Sequence, residues 1–555
     1  MFITFSSLIA SPKPYYICVV GAGPAGIIFA LEYAKQFPDW RILLVDFGAS
    51  HMGSRNRLDD QIELPNPTNH HLPYECTVKG LGGSTATWGG RCVMYDRGDF
   101  SPRAVVAGGC TWGVSFLDDC LPYVAATQRY FESGQGPFNL ANGNELVGPL
   151  AAGFKSKKVT DTVVERWSMP TRFGLRYAES LNSSANIDVV LGVEVRSLGA
   201  PDDSGRIASV GLKDVTTGSE LQVAADVVVL ANGAQEVTRL LLRNPQVFNR
   251  LPSVPSSLGR FYQGHVSGKI ASVQFNGDPQ ATDYSFRREA DGSYQRRRFQ
   301  FTEQTLVEDN LLNTAFWLDN PLYHDPSHRS GAMSFMYLAM ITPVLGKKLA
   351  PPSVAHSITK GQVNRVGAHI WNVIRGLPGS MWVPASIFYR RYLLKRKLPG
   401  VFLYSTNNQY ALHFHAEQIP VAENHMELAA DGETLVIRYR VTEDDADAVI
   451  KAHEVLDAEL RACGAGKLVY WHPPEKRRAA IQAMSKDGVH QSGTTRIADN
   501  SELGVVNGDL RVWGTQNLYV CSSSVFPTSG QANPTFFMGV CAVRLAQHLS
   551  QHANG

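Results

Sequence analysis

The sequence predicts an α/β fold, and three features near its N-terminus support this prediction. Residues 15–20 (YYICVV) form a short apolar run of β-forming residues, which is typical of a buried parallel strand. The glycine motif Gly21-x-Gly23-x-x-Gly26 follows directly and opens a helix-like segment. A second β-like run, residues 41–45 (RILLV), comes after that segment and ends at an aspartate. This order of elements predicts a Rossmann-type dinucleotide-binding domain.

The three glycines have separate predicted roles in this motif. Gly21 allows the tight turn, Gly23 lets the backbone approach a pyrophosphate, and Gly26 lets the helix pack closely on the strand. The helix N-terminus at Ala25 directs free N–H groups toward the phosphates. Asp46, twenty residues after Gly26, is placed to accept hydrogen bonds from ribose hydroxyls. An ordinary glycine turn is the alternative, but the flanking elements all fall where the motif requires them.

Length and composition limit the class of protein further. The chain has 555 residues, more than one hydrophobic core usually serves, so we expect two domains. It is 44% apolar and 18% charged, as globular proteins are, and its net charge of +2 argues against nucleic acid as a main partner. The eight cysteines form no CxxC pair, which favours buried thiols in a reducing compartment. The N-terminal segment lacks the features of a signal peptide, and we expect a cytoplasmic protein without a spanning helix.

Several segments resemble the glucose–methanol–choline (GMC) oxidoreductase family. The glycine run over residues 80–90 (GLGGSTATWGG) is similar to the segment of that family that contacts the flavin. Other similar segments follow in the family's order: 99–103 (DFSPR), 112–115 (WGVS), 121–123 (LPY), 166–174 (RWSMPTRFG), 230–236 (LANGAQE), 490–496 (HQSGTTR) and 522–535 (SSSVFPTSGQANPT). The resemblance covers the whole chain. It is closest to the pyranose oxidase and fructose dehydrogenase side, whose catalytic pair resembles His–Asn.

The resemblance implies two domains that are discontinuous in sequence. Residues 13–110, 185–265 and 480–555 would form the Rossmann-type FAD-binding domain. Residues 111–184 and 266–479 would form an α+β substrate domain with a mixed sheet over one flavin face.

The resemblance also implies the cofactor, FAD, and its contacts. The implied contacts outside the first motif are Gly83, Ser84, Thr87, Trp88, Val195, Ala231, Gly233, Asn533, Pro534 and Thr535. Some relatives carry a histidine just before the tryptophan of the flavin segment and bond it covalently to the flavin. This chain has Thr87 there, so we expect noncovalent FAD.

His490 and Asn533 are the candidate catalytic residues. Oxidising an alcohol requires a base for the hydroxyl proton, and a neutral histidine suits that task. Asn533 precedes Pro534, is biased toward an extended conformation, and carries an amide that can hydrogen-bond the substrate oxygen. The simpler alternatives are a loop histidine satisfied by the backbone and an asparagine that only forms a turn.

A second group of polar residues alternates along a β-like run, residues 410–417 (YALHFHAE). In a strand, His413, His415 and Glu417 would share one face. A strand at about this place lines the substrate in the pyranose oxidase relatives, so these three are candidate substrate contacts. A polar outer face on a half-buried strand is equally open. No histidine has zinc or iron spacing, and we expect no metal.

The segment from residue 326 to 416 contains no Asp or Glu but eleven basic residues. These are Arg329, Lys347, Lys348, Lys360, Arg365, Arg375, Arg390, Arg391, Lys395, Arg396 and Lys397. Apolar and aromatic residues lie between them, as in segments that lie at a membrane interface. A subunit interface, a sugar-phosphate site and a solvated basic face are the alternatives. Membrane contact is favoured because phosphate ligands do not need so many aromatic residues.

These features together predict an FAD-dependent enzyme that oxidises an alcohol on a carbohydrate-type substrate, free or lipid-linked. The acceptor would be a quinone or dioxygen, and we favour a dehydrogenase, peripheral on the inner face of the membrane. A lyase of the same family and a non-catalytic flavin-binding subunit of a membrane complex are the rival interpretations.

Overall fold

A computed structural model describes residues 1–10, 14–48, 61–106, 111–142, 148–320, 323–342, 359, 363–405 and 407–552. The strands of this described part fall into four sheets. They are β1 (Tyr15–Val20), β2 (Ile42–Asp46), β3 (Ile62–Glu63), β4 (Arg91–Cys92), β5 (Val159–Thr160), β6 (Val164–Trp167), β7 (Ile187–Leu191), β8 (Val193–Leu198), β9 (Ser209–Asp214), β10 (Glu220–Leu230), β11 (His265–Phe275), β12 (Arg287–Arg288), β13 (Tyr294–Arg297), β14 (Phe299–Phe301), β15 (Thr314–Asp319), β16 (Gln409–Glu417), β17 (His425–Leu428), β18 (Leu435–Arg438), β19 (Gly466–Tyr470) and β20 (Leu518–Val520).

The α-helices of the described part surround these sheets. They are α1 (Phe5–Ala10), α2 (Pro24–Gln36), α3 (Pro73–Cys76), α4 (Arg97–Phe100), α5 (Val114–Cys120), α6 (Val124–Phe131), α7 (Phe173–Ser183), α8 (Gly233–Arg243), α9 (Glu303–Glu308), α10 (Gly331–Ile341), α11 (Val366–Arg375), α12 (Gly379–Phe388), α13 (Glu443–Ala462), α14 (Pro474–Met484) and α15 (Pro534–His552).

The first sheet confirms the predicted Rossmann-type domain. Its strand order is β7-β2-β1-β10-β9-β8, and β20 also pairs with β10. The strands β7, β2, β1, β10 and β20 pair in parallel, with Ile17 opposite both Ile42 and Val227. Their residues are buried on both faces, as the unbroken apolar runs require. The helices α2 and α15 pack against each other beside this sheet, so the C-terminal segment returns to the first glycine motif.

The second sheet has the order β19-β11-β16-β15-β14-β5, and all of its pairs are antiparallel. The long helix α13 packs against β11 and β19 and contributes Val449, Ala452 and Leu456 to the core of this half. A four-stranded sheet (β12-β13-β6-β4) and a three-stranded sheet (β17-β18-β3) complete the molecule.

One boundary of the predicted domains differs from the packing that the structure shows. We assigned residues 111–184 to the substrate domain. The helices α5, α6 and α7 instead place Phe116, Phe131, Phe173 and Leu181 in the same hydrophobic core as the first sheet. The physical reason is that these aromatic and leucine side chains meet α2 and α15, which already cover that sheet. Within this range, β5 and β6 alone join the other sheets.

Three helices, α10 to α12, form a separate layer in the basic segment. The helices α11 and α12 both pack against α10. Lys347, Lys348 and Lys360 lie outside the described residues. No helix in the described part of the chain has both the length and the apolar character needed to cross a membrane.

Candidate active site

One large cleft joins the two predicted halves of the site. Its volume is about 570 Å³, within the usual range for ligand pockets. The turn after β1 lines it at Gly21 and Gly23, and the predicted catalytic residues His490 and Asn533 line it as well. The cleft therefore places the dinucleotide motif and the catalytic pair, far apart in sequence, around one space.

The glycines of the first motif have geometries that fit their predicted roles. Gly21 has φ +104°, and a Cβ there would lie 2.6 Å from the carbonyl oxygen of Ala231. A Cβ on Gly23 would have no atom within 4 Å, so the backbone is open to a ligand at this point. A Cβ on Gly26 would lie 2.0 Å from the Gly21 oxygen, which leaves no room for a side chain between helix and strand.

The predicted ribose contact, Asp46, has a different set of partners in the structure. Its Oδ2 accepts the backbone N–H of Ala22 at 2.7 Å. Its Oδ1 accepts the N–H groups of Gly48 at 2.9 Å and Gly80 at 2.8 Å. Burial raises the pKa of this carboxyl, although the three N–H groups act in the opposite direction. Asp46 thus ties the first glycine turn to the second glycine run, and it still lines the cleft.

The other predicted cofactor contacts also line this cleft. They are Ala25, Gly83, Ser84, Thr87, Trp88, Val195, Ala231, Gly233, Pro534 and Thr535. The helices α2, α8 and α15 all begin at the cleft, and the first two have no side-chain cap. Their N-terminal N–H groups are therefore available to an anion.

The buried polar atoms on the wall of the cleft indicate whether its residues suit FAD. Asn232 Oδ1 and Gln235 Nε2 are buried and have no hydrogen-bond partner among the described residues. Buried polar atoms normally find partners, so this wall suits a ligand with many polar atoms. The open backbone at Gly23 and the uncapped helix starts point the same way, and the residues present fit FAD.

Thr87 and Trp88 lie on the cleft as the second glycine run predicts. The Trp88 indole N–H donates to the carbonyl of Thr171 at 3.0 Å, and its ring meets Phe131 edge to face. The Thr87 hydroxyl donates to the carbonyl of Ser84 at 3.4 Å. Thr87 stands where some relatives have the flavin-linking histidine. Its short side chain ends in a hydroxyl that is hydrogen-bonded within its own turn.

His490 and Asn533 meet in the structure although 43 residues separate them. The Asn533 Nδ2 lies 2.6 Å from the His490 Nε2. His490 lies in the loop after α14, and Asn533 directly precedes α15. The Oδ1 of Asn533 is buried and has no partner among the described residues. A loop histidine satisfied only by backbone groups does not describe this geometry.

Asp487, which the sequence analysis did not single out, holds His490 from the other side. Its Oδ2 lies 3.2 Å from Nδ1 of His490. Its Oδ1 accepts the backbone N–H groups of Gly488, Val489 and His490. Burial opposes the charge on this carboxyl, but the attraction to His490 and the contact with His265 outweigh it, and the pKa of Asp487 lies well below its usual value.

The ionised carboxylate fixes the tautomer of His490. A carboxylate can only accept a hydrogen bond, so the neutral ring carries its proton on Nδ1. The Nε2 lone pair then faces Asn533 and the cleft. The spacing of an aspartate three residues before the histidine, in Asp487-Gly-Val-His490, was the available sequence signal, because such a side chain caps its own turn.

Two further histidines from the second sheet pack beside His490. His265 and His415 are buried, and their rings stack with centroids 4.1 Å apart. Burial lowers the pKa of both imidazoles, most strongly that of His415, so they are neutral near pH 7. The His265 ring meets His490 edge to face at 4.9 Å. His265 begins β11 and belongs to no motif, so the sequence does not predict its place beside His490.

This cluster raises the question of a metal. Ring nitrogens of His265, His415 and His490 all lie within 4.8 Å of one another. The planes of His265 and His415 differ by only 24°, so their in-plane lone pairs run side by side instead of converging on one ion. The His415 Nδ1 also contacts the Ser267 hydroxyl at 3.1 Å. We therefore keep the prediction that no metal is required.

The three residues predicted to share the substrate face of β16 have different surroundings in the structure. His415 lies beside His490, and its Nε2 is buried without a partner among the described residues. His413 stacks on Trp317 at 4.2 Å, and its Nδ1 lies 3.6 Å from Asp319. Neither is a solvent-facing residue of a half-exposed strand. Of the three candidates, His415 is the one in contact with His490.

The structure contradicts a substrate contact for Glu417. Its carboxylate accepts hydrogen bonds from both terminal nitrogens of Arg103, at 2.7 and 3.0 Å, and both side chains are fully buried. The backbone N–H of Asn313 donates to it as well, at 2.9 Å. The prediction failed because alternation along a strand shows on which face of the sheet a residue lies, but not which groups cover that face.

Arg91 adds a positive charge to the wall of the cleft. Its guanidinium stacks on the Trp317 ring with 4.2 Å to the centroid and forms an ion pair with the buried Glu165. Arg296 shares the same carboxylate. Burial is the main reason why the pKa of Arg91 falls to about 10, which leaves it charged at neutral pH. No motif in the sequence distinguishes this arginine from the others.

The C-terminal part of the chain matches a known protein family. Residues 420–542 match the family model described as GMC oxidoreductase. The chain is 23% identical over 592 aligned residues to 6'''-hydroxyparomomycin C oxidase of Streptomyces lividus, with 97% of this chain and 91% of that protein covered.

Solved structures show the same fold. A fungal aryl-alcohol oxidase has a TM-score of 0.52 at 14% identity, with 98% of this chain and all of that chain covered. Formate oxidase of Aspergillus oryzae RIB40, described with its FAD, has a TM-score of 0.54 at 15% identity, with 98% and 99% covered. The match over residues 420–542 is thus to GMC oxidoreductases, and the chain has the fold of these solved structures.

Proposed function

We propose that the protein oxidises an alcohol, with His490 as the base. The contact between His490 Nε2 and Asn533 Nδ2, at the cleft that also holds the dinucleotide motif, is the observation that carries this proposal. Alcohol-type substrates are consistent with the relatives, since one is named for a hydroxylated compound and another for aryl alcohols.

The chain's own residues account for the proton. A substrate hydroxyl that enters between His490 and Asn533 would donate to the Nε2 lone pair, while the Asn533 amide N–H donates to the same oxygen. Bound FAD would supply the acceptor for the hydride that leaves the substrate carbon. As His490 takes the proton it becomes cationic, and the Asp487 carboxylate at 3.2 Å stabilises that charge. Neutral His265 and His415 add no competing charge.

The finer assignments are also part of the proposal. We favour a carbohydrate-type substrate, because Arg91 lines the cleft and stacks on the Trp317 ring, which places a polar group next to an aromatic face. We favour noncovalent FAD, because Thr87 occupies the linking position. A dehydrogenase that reduces a quinone is preferred to an oxidase, which would use dioxygen. The location that follows is the inner face of the membrane.

Anaerobic reduction of the flavin tests the reaction. The yellow holoenzyme would be mixed without oxygen with free sugars, glycosides, sugar lipids and simple alcohols, and the loss of flavin absorbance followed. At least one alcohol should bleach the wild type and leave His490→Ala oxidised over the same time. A lyase or a non-catalytic subunit would show no bleaching with any of them. Reoxidation by dioxygen and by a soluble quinone, compared on the same reduced sample, separates oxidase from dehydrogenase.

A further inference from the structure

The helices α11 and α12 present an unusual number of apolar side chains to solvent. Among the described residues, 23 large hydrophobic side chains are strongly exposed, and ten of these lie between residues 363 and 393. Trp371 is 60% exposed and Trp382 is 74% exposed. The ten are Val363, Ile370, Trp371, Ile374, Leu377, Met381, Trp382, Phe388, Tyr389 and Leu393. We call this set the α11–α12 surface. Scattered exposed hydrophobics are ordinary, but a contiguous set marks an interaction site.

The inner faces of the same helices are polar. Asn372 is buried, and its amide donates to Pro326 at 2.9 Å and to the Ser334 hydroxyl at 3.1 Å. His369 is fully buried and contacts the same hydroxyl at 3.0 Å. The Ser380 hydroxyl donates to the carbonyl of Val373 at 2.9 Å. A helix that faces water has the opposite arrangement, with apolar residues inside. The outer faces of α11 and α12 are therefore adapted to an apolar medium.

The charged residues within this segment all have one sign. Arg375 follows the exposed residues of α11, and Lys395 and Lys397 follow α12; all three are exposed. No acidic residue occurs between residues 326 and 416. Other basic residues of the segment have partners in the fold, since Arg391 donates to the carbonyls of Leu398 and Pro399, and Arg396 to that of Glu132. Among the described residues of the segment, Arg329 and Arg365 are exposed as well. Arg375, Lys395 and Lys397 are the exposed cations next to the apolar residues in sequence, and they are placed to meet an anionic partner.

We propose that the α11–α12 surface docks onto an anionic lipid bilayer. Exposed tryptophans and leucines with lysine and arginine at their border are the composition of helices that lie in a membrane interface. The helices α11 and α12 have ten residues each, which is too short to cross a bilayer. They would lie on the surface with the aromatic side chains among the lipids and the cations at the headgroups.

This surface is independent of the proposed reaction. Docking needs neither His490 nor the identity of the electron acceptor, and it adds a partner that the cleft does not reveal. The same surface would serve a quinone reductase or an enzyme that takes lipid-linked substrates. Failure of lipid binding and failure of flavin reduction are therefore separate results.

The test is co-sedimentation of the holoenzyme with vesicles of equal parts phosphatidylcholine and phosphatidylglycerol. Two variants probe the surface, Trp371→Ser/Trp382→Ser and Arg375→Gln/Lys395→Gln/Lys397→Gln. Two controls carry comparable apolar-to-serine and cation-to-glutamine changes elsewhere, Leu175→Ser/Leu503→Ser and Lys157→Gln/Lys467→Gln/Lys476→Gln, all at exposed positions. An unchanged flavin spectrum shows that each variant is folded. Vesicles with bromine-labelled acyl chains report directly on tryptophan depth.

The wild type should bind, less at high salt, and bromine-labelled lipid should quench its tryptophan fluorescence. The double tryptophan variant should bind vesicles more weakly than the wild type, by about tenfold or more. Bromine-labelled lipid should no longer quench its tryptophan fluorescence. The charge variant should lose affinity for phosphatidylglycerol vesicles selectively, and both controls should behave as wild type. The proposal fails if the wild type binds neither these vesicles nor phosphatidylcholine alone. It also fails if light scattering shows a dimer that only the tryptophan variant dissociates, since a second copy would then cover the surface.

Discussion

Asp487 and His490 are joined twice, through the ring and through the backbone. The carboxylate Oδ2 lies 3.2 Å from Nδ1 of His490, and Oδ1 accepts the His490 backbone N–H at 3.1 Å. The side chain that stabilises the imidazolium thus also fixes the turn on which the imidazole stands. A role of this kind predicts that the rate of flavin reduction depends on the charge at position 487.

The variant Asp487→Asn should slow flavin reduction. Burial opposes the charge of Asp487, but its contacts with His490 and His265 keep the pKa of this carboxyl well below its usual value, so it is ionised near neutral pH. Asparagine carries no charge and cannot stabilise the positive charge that His490 gains when it takes the substrate proton. The measurement is anaerobic stopped-flow reduction at neutral pH.

Asp487→Glu is the matched control for this prediction, because it restores the charge with a longer arm. It should recover part of the rate of flavin reduction. A purely structural role would lower the rate of both variants alike.

His490→Ala should keep FAD bound and lose the chemical step. We expect reduction by an alcohol to slow by about 10²–10⁴-fold, the usual contribution of a positioned acid–base group. His415→Gln is the comparison, because His415 touches the His490 ring but does not line the cleft with Asn533. Its loss should be smaller. Equal rates in wild type and His490→Ala would remove the proposed base.

Asn533→Ala should slow reduction while leaving the His490–Asp487 contact in place. The amide N–H at 2.6 Å from His490 Nε2 is the group that would hold the substrate oxygen. Asn533→Asp replaces this donor with an acceptor and should be the slower of the two. Rapid-reaction measurement of the limiting rate and of the half-saturating alcohol concentration separates lost orientation from lost binding.

Acid precipitation tests how the flavin is held. Thr87 offers only a hydroxyl in the linking position, and that hydroxyl is bonded to its own turn. Denatured wild-type protein should be colourless and the supernatant should contain intact FAD, identified by its mass. Flavin that stays with the precipitated chain would contradict noncovalent binding and would point to another residue of the cleft.

The local sequence pattern was enough to predict the Rossmann-type half, because the strand, the glycine turn and the helix follow one another in the chain. It also placed β16 and the alternation of His413, His415 and Glu417. It could not tell which of these contacts His490, since that depends on β11, β15 and Arg103, which lie far away in sequence. The helices α5 to α7 were misassigned for the same reason. Asp487 and His265 join His490 only through tertiary packing.

The Arg103–Glu417 pair gives a prediction about stability. Both side chains are fully buried and share two hydrogen bonds. Glu417→Gln should leave a buried guanidinium without its charge partner and cost about 3–5 kcal/mol of unfolding free energy. Arg103→Met/Glu417→Met removes both charges and should be less destabilised than the single variant. Chemical denaturation of the holoenzymes measures the difference. A Glu417→Gln protein with unchanged stability but weakened alcohol binding would instead return this residue to the substrate site.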